Sequence, residues 1–316
     1  MWRNGNPIFP NSPGARKQMT AENNPPHPLR IWLQAARPKT LPAGIVPALV
    51  GGALAYGDGL FHLASFLAAL FGSAMIQIGT NFANDLFDFT KQTDTADRIG
   101  PLRVTQAGLA TPRQTALATA IAFLLAAAAG AYLIHRGGWP VVIIGLSSIL
   151  CGVLYTAGPL ALGYVGLGDI FVLIFFGPVA LAGTYYVQAL NISTPIILAG
   201  LPFGMISTAI LTVNNLRDIA ADRKGGKRTL AVRFGRTFAR YEYLVMLLAA
   251  AAMIVPLAYA IHNAHLYLAM AYLLLAVGPV RAVFSTTDGE RLNNTLAATG
   301  RLLIAYGLLF SIGWLL

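Results

Sequence analysis

The 316-residue chain has few charged residues, and only 12 of its residues are acidic. Charged residues make up 11% of the sequence, whereas apolar residues make up 56% and the mean hydropathy is +0.62. Soluble globular domains of ordinary composition do not reach this profile. The composition therefore indicates an integral membrane protein.

Cysteine and histidine are also scarce. Cys151 is the single cysteine, so an intrachain disulfide is excluded, and its place in an apolar segment favours a packed thiol. The five histidines lie in the N-terminal tail or near the ends of spans on the side away from the acidic motifs. Because metal sites need clustered ligands, a histidine-based site is not expected.

Long apolar runs rich in Ala and Leu dominate the rest of the chain. A bilayer core of about 30 Å takes roughly 20 apolar residues per helix. A β-barrel would instead need short segments of alternating polarity. We therefore predict an all-α integral membrane protein, a bundle of nine transmembrane helices. The candidate spans are residues 41–56, 63–83, 115–134, 139–157, 167–189, 195–213, 243–261, 264–280 and 300–316.

The formal net charge is +10, and the positions of the cations indicate a membrane orientation rather than a nucleic-acid partner. All but one of the 22 Lys and Arg residues lie in residues 1–40, 84–113, 214–240 and 281–301, and the exception is Arg136. The positive-inside rule places these segments and the N-terminus in the cytoplasm and the C-terminus on the other side. We predict a multi-pass protein of the inner (plasma) membrane whose active site faces the cytoplasm.

The chain is expected to have one membrane domain. Residues 1–29 are rich in Asn and Pro without apolar periodicity, which predicts a disordered cytoplasmic tail with no secretory signal. Residues 30–316 form the nine-helix domain, with a weak repeat that relates spans one to four to spans five to eight. The Gly200-x-x-x-Gly204 spacing permits close helix contacts within or between chains, so a homo-oligomer is compatible with the sequence.

Two acidic motifs follow apolar spans. The first is Asn84-Asp85-x-x-Asp88, continued by Asp94, and helical spacing puts Asn81, Asp85 and Asp88 on one face. The second has Asn214, Asp218 and Asp222 at intervals of four residues, with Asn215 beside them. Asp218 lies four spans after Asp85, which is the basis for the predicted repeat.

Carboxylates held together repel one another, so a fold that gathers them normally supplies a cation. Oxygen ligands suit Mg²⁺, which prefers one or two carboxylates together with waters and substrate phosphates. Lys and Arg residues interleaved with these acids suit a diphosphate, and apolar helices beside it imply a lipid-linked substrate. Departure of diphosphate from an allylic chain leaves a carbocation. Tyr155 or Tyr164 would stabilise this carbocation by cation–π attraction. The alternative role for both tyrosines is to anchor the protein at the membrane interface.

These motifs resemble the UbiA superfamily of intramembrane aromatic prenyltransferases, which has nine helices and two aspartate-rich motifs. The similarity is strongest to the branch that acts on 1,4-dihydroxy-2-naphthoate in menaquinone synthesis. It extends from about Leu29 to the C-terminus and is carried by Arg37-Pro-Lys-Thr-Leu, Asn84-Asp-x-x-Asp88, Asp97-Arg-Ile-Gly-Pro-Leu-Arg-Val-Thr-Gln-Ala-Gly108, Asn214-Asn-Leu-Arg-Asp218-x-x-x-Asp222 and Gly226-Lys-Arg-Thr-Leu-Ala-Val-Arg233.

The resemblance implies Mg²⁺-dependent transfer of a polyprenyl group from polyprenyl diphosphate to dihydroxynaphthoate in the bilayer, with loss of diphosphate and CO₂, to give a demethylmenaquinone. It assigns catalysis to Asp85, Asp88, Asp218 and Asp222, which bind metal together with Asn84, Asp94 and Asn215. Lys91, Arg98, Arg217 and Lys227 would bind diphosphate, and Gln77, Asn81 and Asp169 would orient the aromatic acceptor. One departure is Gln92, which stands where the superfamily's general motif has Asp and where the naphthoate branch usually has Gly.

Other functions stay open from the sequence. Within the family, the acceptor could be 4-hydroxybenzoate, or the donor could be phytyl diphosphate, as in phylloquinone synthesis. A secondary transporter would also have repeats, but it is expected to place ionisable residues near the bilayer midplane rather than at one boundary. A membrane scaffold without catalysis would not need two opposed acidic motifs.

Overall fold

A computed structural model describes residues 27–92, 100, 103–158 and 161–316, and within these residues the secondary structure is entirely helical. The ten helices are α1 Pro28–Ala35, α2 Leu41–Gly57, α3 Leu63–Thr90, α4 Pro112–Gly137, α5 Trp139–Leu154, α6 Gly168–Ala189, α7 Thr194–Lys224, α8 Leu230–Ala260, α9 Ala264–Ser285 and α10 Gly289–Leu315. Three of them contain irregular turns. A π-helical turn, Phe175–Val179, lies within α6, α8 is interrupted at Met253, and α9 begins with a 3₁₀ segment, Ala264–Ala271.

Seven of the described helices are long and apolar enough to cross a membrane. The apolar helices α2 and α5 are shorter, with 17 and 16 residues. An all-helical integral membrane protein is therefore confirmed, whereas the count of nine spans and the cytoplasmic N-terminus remain predictions.

Several helices extend beyond their predicted apolar spans. The α3 helix continues to Thr90, and α7 continues to Lys224. The α10 helix begins at Gly289, where Asp288 caps it through a hydrogen bond from the Glu290 N–H. The candidate span at residues 300–316 is therefore only the second part of a longer helix. Hydropathy marks only the apolar part of a helix, and these added turns are polar.

The short helix α1 precedes the first apolar helix. Residues 1–26 of the predicted tail lie outside the described residues, and the helix begins at Pro28, within the predicted tail. Its Trp32 ring packs edge-on against Phe82 of α3, with the ring centroids 5.5 Å apart. Asn81 Nδ2 donates a hydrogen bond to the Ala36 carbonyl at 2.9 Å. These contacts hold the α1–α2 corner, which includes Arg37, against α3.

The α7 helix lies at the centre of the bundle and packs very closely against α6. A Cβ atom added to Gly204 would lie 2.0 Å from the Leu173 carbonyl oxygen, and one added to Gly200 would lie 2.5 Å from Pro178 Cα. Only glycine permits this backbone approach. The Gly200-x-x-x-Gly204 spacing therefore serves a helix contact within the chain.

A cavity of about 440 Å³ runs between helices α2 to α7, and Leu296 of α10 also lines it. Polar side chains line one end of it, which we call its polar end: Arg37, Gln77, Asn81, Asn84 and Asn214. Mostly apolar side chains line the rest, including Leu133, Ile134, Val141 and Val187. Both acidic motifs lie on the helix turns next to the polar end.

Candidate active site

The first acidic motif occupies the last turns of α3, and its side chains are buried. Asp88 is only 1% exposed. Its carboxylate accepts hydrogen bonds from Arg103 and from the Tyr164 hydroxyl, and it lies 3.6 Å from the Lys227 ammonium. Burial of a carboxylate is costly unless cations and donors surround it. Asp88 meets that condition with groups from three separate segments.

Asp85 faces a different part of the site. Its carboxylate accepts hydrogen bonds from the backbone N–H groups of Val104 at 2.9 Å and Thr105 at 3.4 Å. These bonds attach the segment before α4 to the end of α3. Two of the four lone-pair positions of a carboxylate are used in this way.

The second acidic motif lies on the last three turns of α7, where Asp218 and Asp222 are buried. The Lys227 ammonium lies 3.7 Å from Asp222 as well as 3.6 Å from Asp88. One cation thus bridges carboxylates from the two motifs. The two motifs therefore lie next to each other in the fold.

Arg217 is held inside the bundle rather than at the cavity. Its Nε donates to Asp218 at 2.8 Å, and its two terminal nitrogens donate to Asn293 at 2.6 Å and Asn214 at 2.7 Å. Asn293 belongs to α10, so this guanidinium joins α7 and α10 next to the acidic motif. A diphosphate-binding role for Arg217 would have to draw on these same nitrogens.

The loop between α5 and α6 contacts the first motif. Lys91 Nζ donates to the carbonyl groups of Thr156 at 2.6 Å and Gly158 at 2.9 Å. The Thr156 hydroxyl donates to Asn84 at 2.8 Å. Burial lowers the pKa of the Lys91 ammonium, while the charge of Asp88 acts in the opposite direction. Lys91 is thus placed over the first motif by the loop.

Only some of the residues predicted to orient the aromatic acceptor or to stabilise the carbocation line the cavity. Gln77, Asn81 and Tyr155 line the cavity. Asp169 is buried in the first turn of α6 and is not among the described residues that line the cavity. Tyr164 is also not among them, because its side chain faces Asp88, Lys91 and Lys227. Asp94 and Arg98 lie outside the described residues.

A model of the UbiA prenyltransferase family matches residues 44–304, which is most of the chain. This chain belongs to the UbiA prenyltransferase family. It is therefore a prenyltransferase embedded in a membrane, as its apolar helices require.

Several relatives of this UbiA-family chain are named 1,4-dihydroxy-2-naphthoate octaprenyltransferase. The protein of that name from Escherichia coli (strain K12) is 36% identical over 294 residues, which cover 90% of this chain and 94% of the relative. The one from Mycobacterium tuberculosis is 37% identical over 279 residues, covering 88% and 94%. A solved UbiA homolog from Archaeoglobus fulgidus, bound to GPP and Mg²⁺, superposes with a TM-score of 0.65 over 89% of this chain and 99% of that one. Its identity is 16%, so this likeness shows the shared fold.

The donor set of the UbiA-family chain fits a divalent cation bound together with a diphosphate. No three His, Cys, Asp or Glu side chains of the described residues are close enough together to form a metal site. However, Mg²⁺ typically takes only one or two carboxylates and completes its shell with waters and phosphates. Asp88 and Asp222 supply two carboxylates with a cation, the Lys227 ammonium, already between them. Of the other predicted ligands, Asn84 lines the polar end, Asn215 is buried on α7, and Asp85 and Asp218 have the contacts given above.

Sequence reasoning did not assign roles to three residues that the structure brings to the site. Arg103 donates a hydrogen bond to Asp88. Its position in the basic loop after the first motif could have indicated this contact. Asn293 reaches Arg217 from α10, and nothing in its sequence neighbourhood indicated this. Ser207 lines the cavity with a buried hydroxyl that has no hydrogen-bond partner among the described residues. Ser207 lies seven residues before Asn214 on α7. This helical spacing places both residues on one face, and it could have indicated that Ser207 lies near the site.

Proposed function

We propose that this chain transfers a polyprenyl group from polyprenyl diphosphate to 1,4-dihydroxy-2-naphthoate, with Mg²⁺ as the metal. The proposal is supported by the Lys227 ammonium, which joins Asp88 and Asp222 next to the polar end of a mostly apolar cavity. Such a place suits a diphosphate with a long apolar chain. The names of the relatives supply the acceptor.

In the proposed complex, Asp88 and Asp222 hold Mg²⁺, with further oxygen ligands drawn from Asn84, Asp85, Asn215 and Asp218. The metal ion, when bound, neutralises charge on the diphosphate and so favours its departure. Lys91 and Lys227 donate to the diphosphate oxygens, and the charges of both side chains lie close to Asp88. The apolar chain lies in the cavity among the aliphatic side chains.

The chemical step breaks the bond between the allylic carbon and the diphosphate oxygen, and the diphosphate leaves with the electron pair. The ring carbon that bears the carboxylate then forms the new carbon–carbon bond. The bond to the carboxylate breaks, CO₂ leaves, and its electron pair restores the aromatic ring. Because CO₂ leaves in place of a proton, this carbon needs no general base. The apolar lining of the cavity keeps water from the carbocation.

The proposed protein spans the membrane nine times, with α2 and α5 included as short spans. Its polar cavity end and both acidic motifs face the cytoplasm, in agreement with the charge distribution and the positive-inside rule. In the host cell, it belongs to the inner (plasma) membrane.

An assay with a panel of aromatic acceptors tests the proposal. Purified protein in detergent is given Mg²⁺, a polyprenyl diphosphate and one acceptor, and diphosphate, CO₂ and prenylated product are quantified. With dihydroxynaphthoate, diphosphate and CO₂ should appear in equal amounts, and a chelator should stop both. An acceptor that is alkylated at an unsubstituted carbon would release diphosphate without CO₂. If dihydroxynaphthoate yields no product while 4-hydroxybenzoate does, the proposed acceptor is wrong.

A further inference from the structure

We infer that Tyr164 is a positioning residue of the diphosphate site, which holds Lys91, Lys227 and Asp88 in one fixed arrangement before the substrate arrives. This inference rests on the proposed function. It differs from the carbocation-stabilising role predicted from the sequence, and it is carried by the contacts on both the ring and the hydroxyl group of Tyr164.

The Tyr164 ring contacts two ammonium groups. Lys91 Nζ lies 4.7 Å from the ring centroid, and Lys227 Nζ lies 4.9 Å from it. Cations within about 6 Å of an aromatic centroid are attracted by the ring quadrupole. Lys91 comes from the end of α3 and Lys227 from the loop after α7. The ring thus collects one cation from each acidic motif.

The hydroxyl group and the backbone of Tyr164 make two further connections. The hydroxyl donates to Asp88 Oδ1, while the other oxygen of that carboxylate contacts Arg103 and Lys227. The Tyr164 carbonyl accepts a hydrogen bond from the Arg228 N–H at 2.7 Å. Tyr164 therefore joins the α5–α6 loop to the end of α3 and to the loop after α7.

Preorganisation is the physical benefit of this arrangement. Lysine is a point charge on a flexible four-carbon stem, and holding two like charges near each other is unfavourable without a compensating group. The ring and the Asp88 carboxylate compensate both ammonium groups. Interactions that are positioned before binding do not have to be ordered when the diphosphate arrives.

The position of the ring argues against direct contact with the prenyl cation. Tyr155 lines the cavity, whereas Tyr164 is not among the cavity-lining residues of the described chain. The Tyr164 ring is already engaged by two ammonium groups. Its effect on the reaction should therefore pass through the diphosphate rather than through the carbocation.

Two variants separate the two functions of the side chain. Tyr164→Phe removes the hydrogen bond to Asp88 and keeps the ring, whereas Tyr164→Leu removes both. Tyr259→Leu is the control, because Tyr259 is 81% exposed and is not part of the site. Each protein is assayed for kcat and for the KM of each substrate. The binding of inorganic diphosphate with Mg²⁺, without any acceptor, is measured separately by calorimetry in detergent.

We expect Tyr164→Leu to weaken diphosphate binding and to raise the KM for polyprenyl diphosphate by roughly tenfold or more, the size typical of losing a hydrogen bond to a charged group. Tyr164→Phe should keep part of the affinity and should need more Mg²⁺ for half-maximal activity. The KM for the acceptor should stay unchanged in both variants, and Tyr259→Leu should behave as the wild type does.

Wild-type affinity for inorganic diphosphate in both variants would overturn the inference. So would equal increases in the KM values of donor and acceptor. If Tyr164→Leu fails to fold, the Mg²⁺ dependence of Tyr164→Phe still decides, because an unchanged dependence contradicts the role of the hydroxyl. If diphosphate binding depends on Tyr164 but wild-type protein gives no product with dihydroxynaphthoate, the proposed function fails and the inference stands.

Discussion

At the scale of single residues, Lys227 is the side chain on which both acidic motifs converge. Its ammonium lies within 4 Å of Asp88 and Asp222, and it also contacts the Tyr164 ring. A buried carboxylate without a cation is strongly destabilised. In the proposed function, a metal ion and a diphosphate bind together. The carboxylates of Asp88 and Asp222 would then bind the metal ion, and the Lys227 ammonium would bind the diphosphate.

The two carboxylates can be tested by neutral, nearly isosteric changes. Asp88→Asn and Asp222→Asn should each lower kcat with dihydroxynaphthoate by roughly 10²–10³, the loss typical of removing one preorganised electrostatic contact. Each change removes a negative charge that would hold the metal in the proposed complex and leaves the helices intact. Initial rates at saturating Mg²⁺ and both substrates provide the measurement.

Asp288→Asn is the matched control for this pair. Asp288 is an exposed residue at the start of α10 that belongs to neither acidic motif, and its contacts are local. Its variant should keep wild-type turnover. Full activity in Asp88→Asn or in Asp222→Asn would remove that residue from the metal site.

At the scale of helices, the polar turns that extend the apolar spans carry the residues of the candidate site. Asp88 lies on α3 beyond residue 83, where the apolar span was predicted to end, and Asp222 lies on α7 beyond residue 213. Helical spacing of Asn and Asp residues predicted these shared faces. The same rule could not reveal the Asn293 contact, because Arg217 and Asn293 lie on different helices and are far apart in sequence.

Close packing between α6 and α7 positions the second motif. The Gly204 backbone touches the Leu173 carbonyl, next to the π-helical turn of α6. Gly204→Ala should lower the free energy of unfolding by about 1–3 kcal/mol, because backbone atoms must move to admit the methyl group. Thermal unfolding of the purified protein in detergent would measure this loss.

Gly278→Ala provides the comparison for Gly204→Ala. A Cβ atom at Gly278 meets nothing within 4 Å, although it also lies within a helix. Alanine favours helix over glycine by about 1 kcal/mol, so this variant should be neutral or slightly more stable. Equal melting temperatures for the two variants would mean that the α6–α7 contact tolerates a side chain.

At the scale of the whole molecule, composition predicted the membrane class and the motifs predicted the family, and both are confirmed. The cavity could not be predicted in the same way. Its lining residues come from seven helices, and the sequence pattern of Ala, Gly and Ile does not separate a lipid-facing helix surface from a cavity wall. Tyr164 and Tyr155 show the same limit, since both precede α6 in one loop but face different surroundings.

The cavity should limit the length of the prenyl chain. Gly145 of α5 lines the cavity, and a Cβ atom there meets nothing within 4 Å. Gly145 lies about ten residues before Tyr155, which corresponds to roughly 15 Å along a helix. Gly145→Phe should therefore block the cavity beyond that distance. We expect turnover of a long polyprenyl diphosphate to fall at least about tenfold, with little change for geranyl diphosphate, when the two donors compete and the products are measured by mass spectrometry.

Gly145→Ala adds a single carbon to the same wall and is the control for bulk at this position. It should accept both donors nearly as the wild type does, because the added methyl group enters open space. If Gly145→Phe lowers turnover of the two donors equally, the proposed path of the prenyl chain is wrong. The added ring lies past the polar end and can hinder only a chain that is long enough to reach it. A selective loss of long donors places the chain along α5, from Tyr155 towards Trp139.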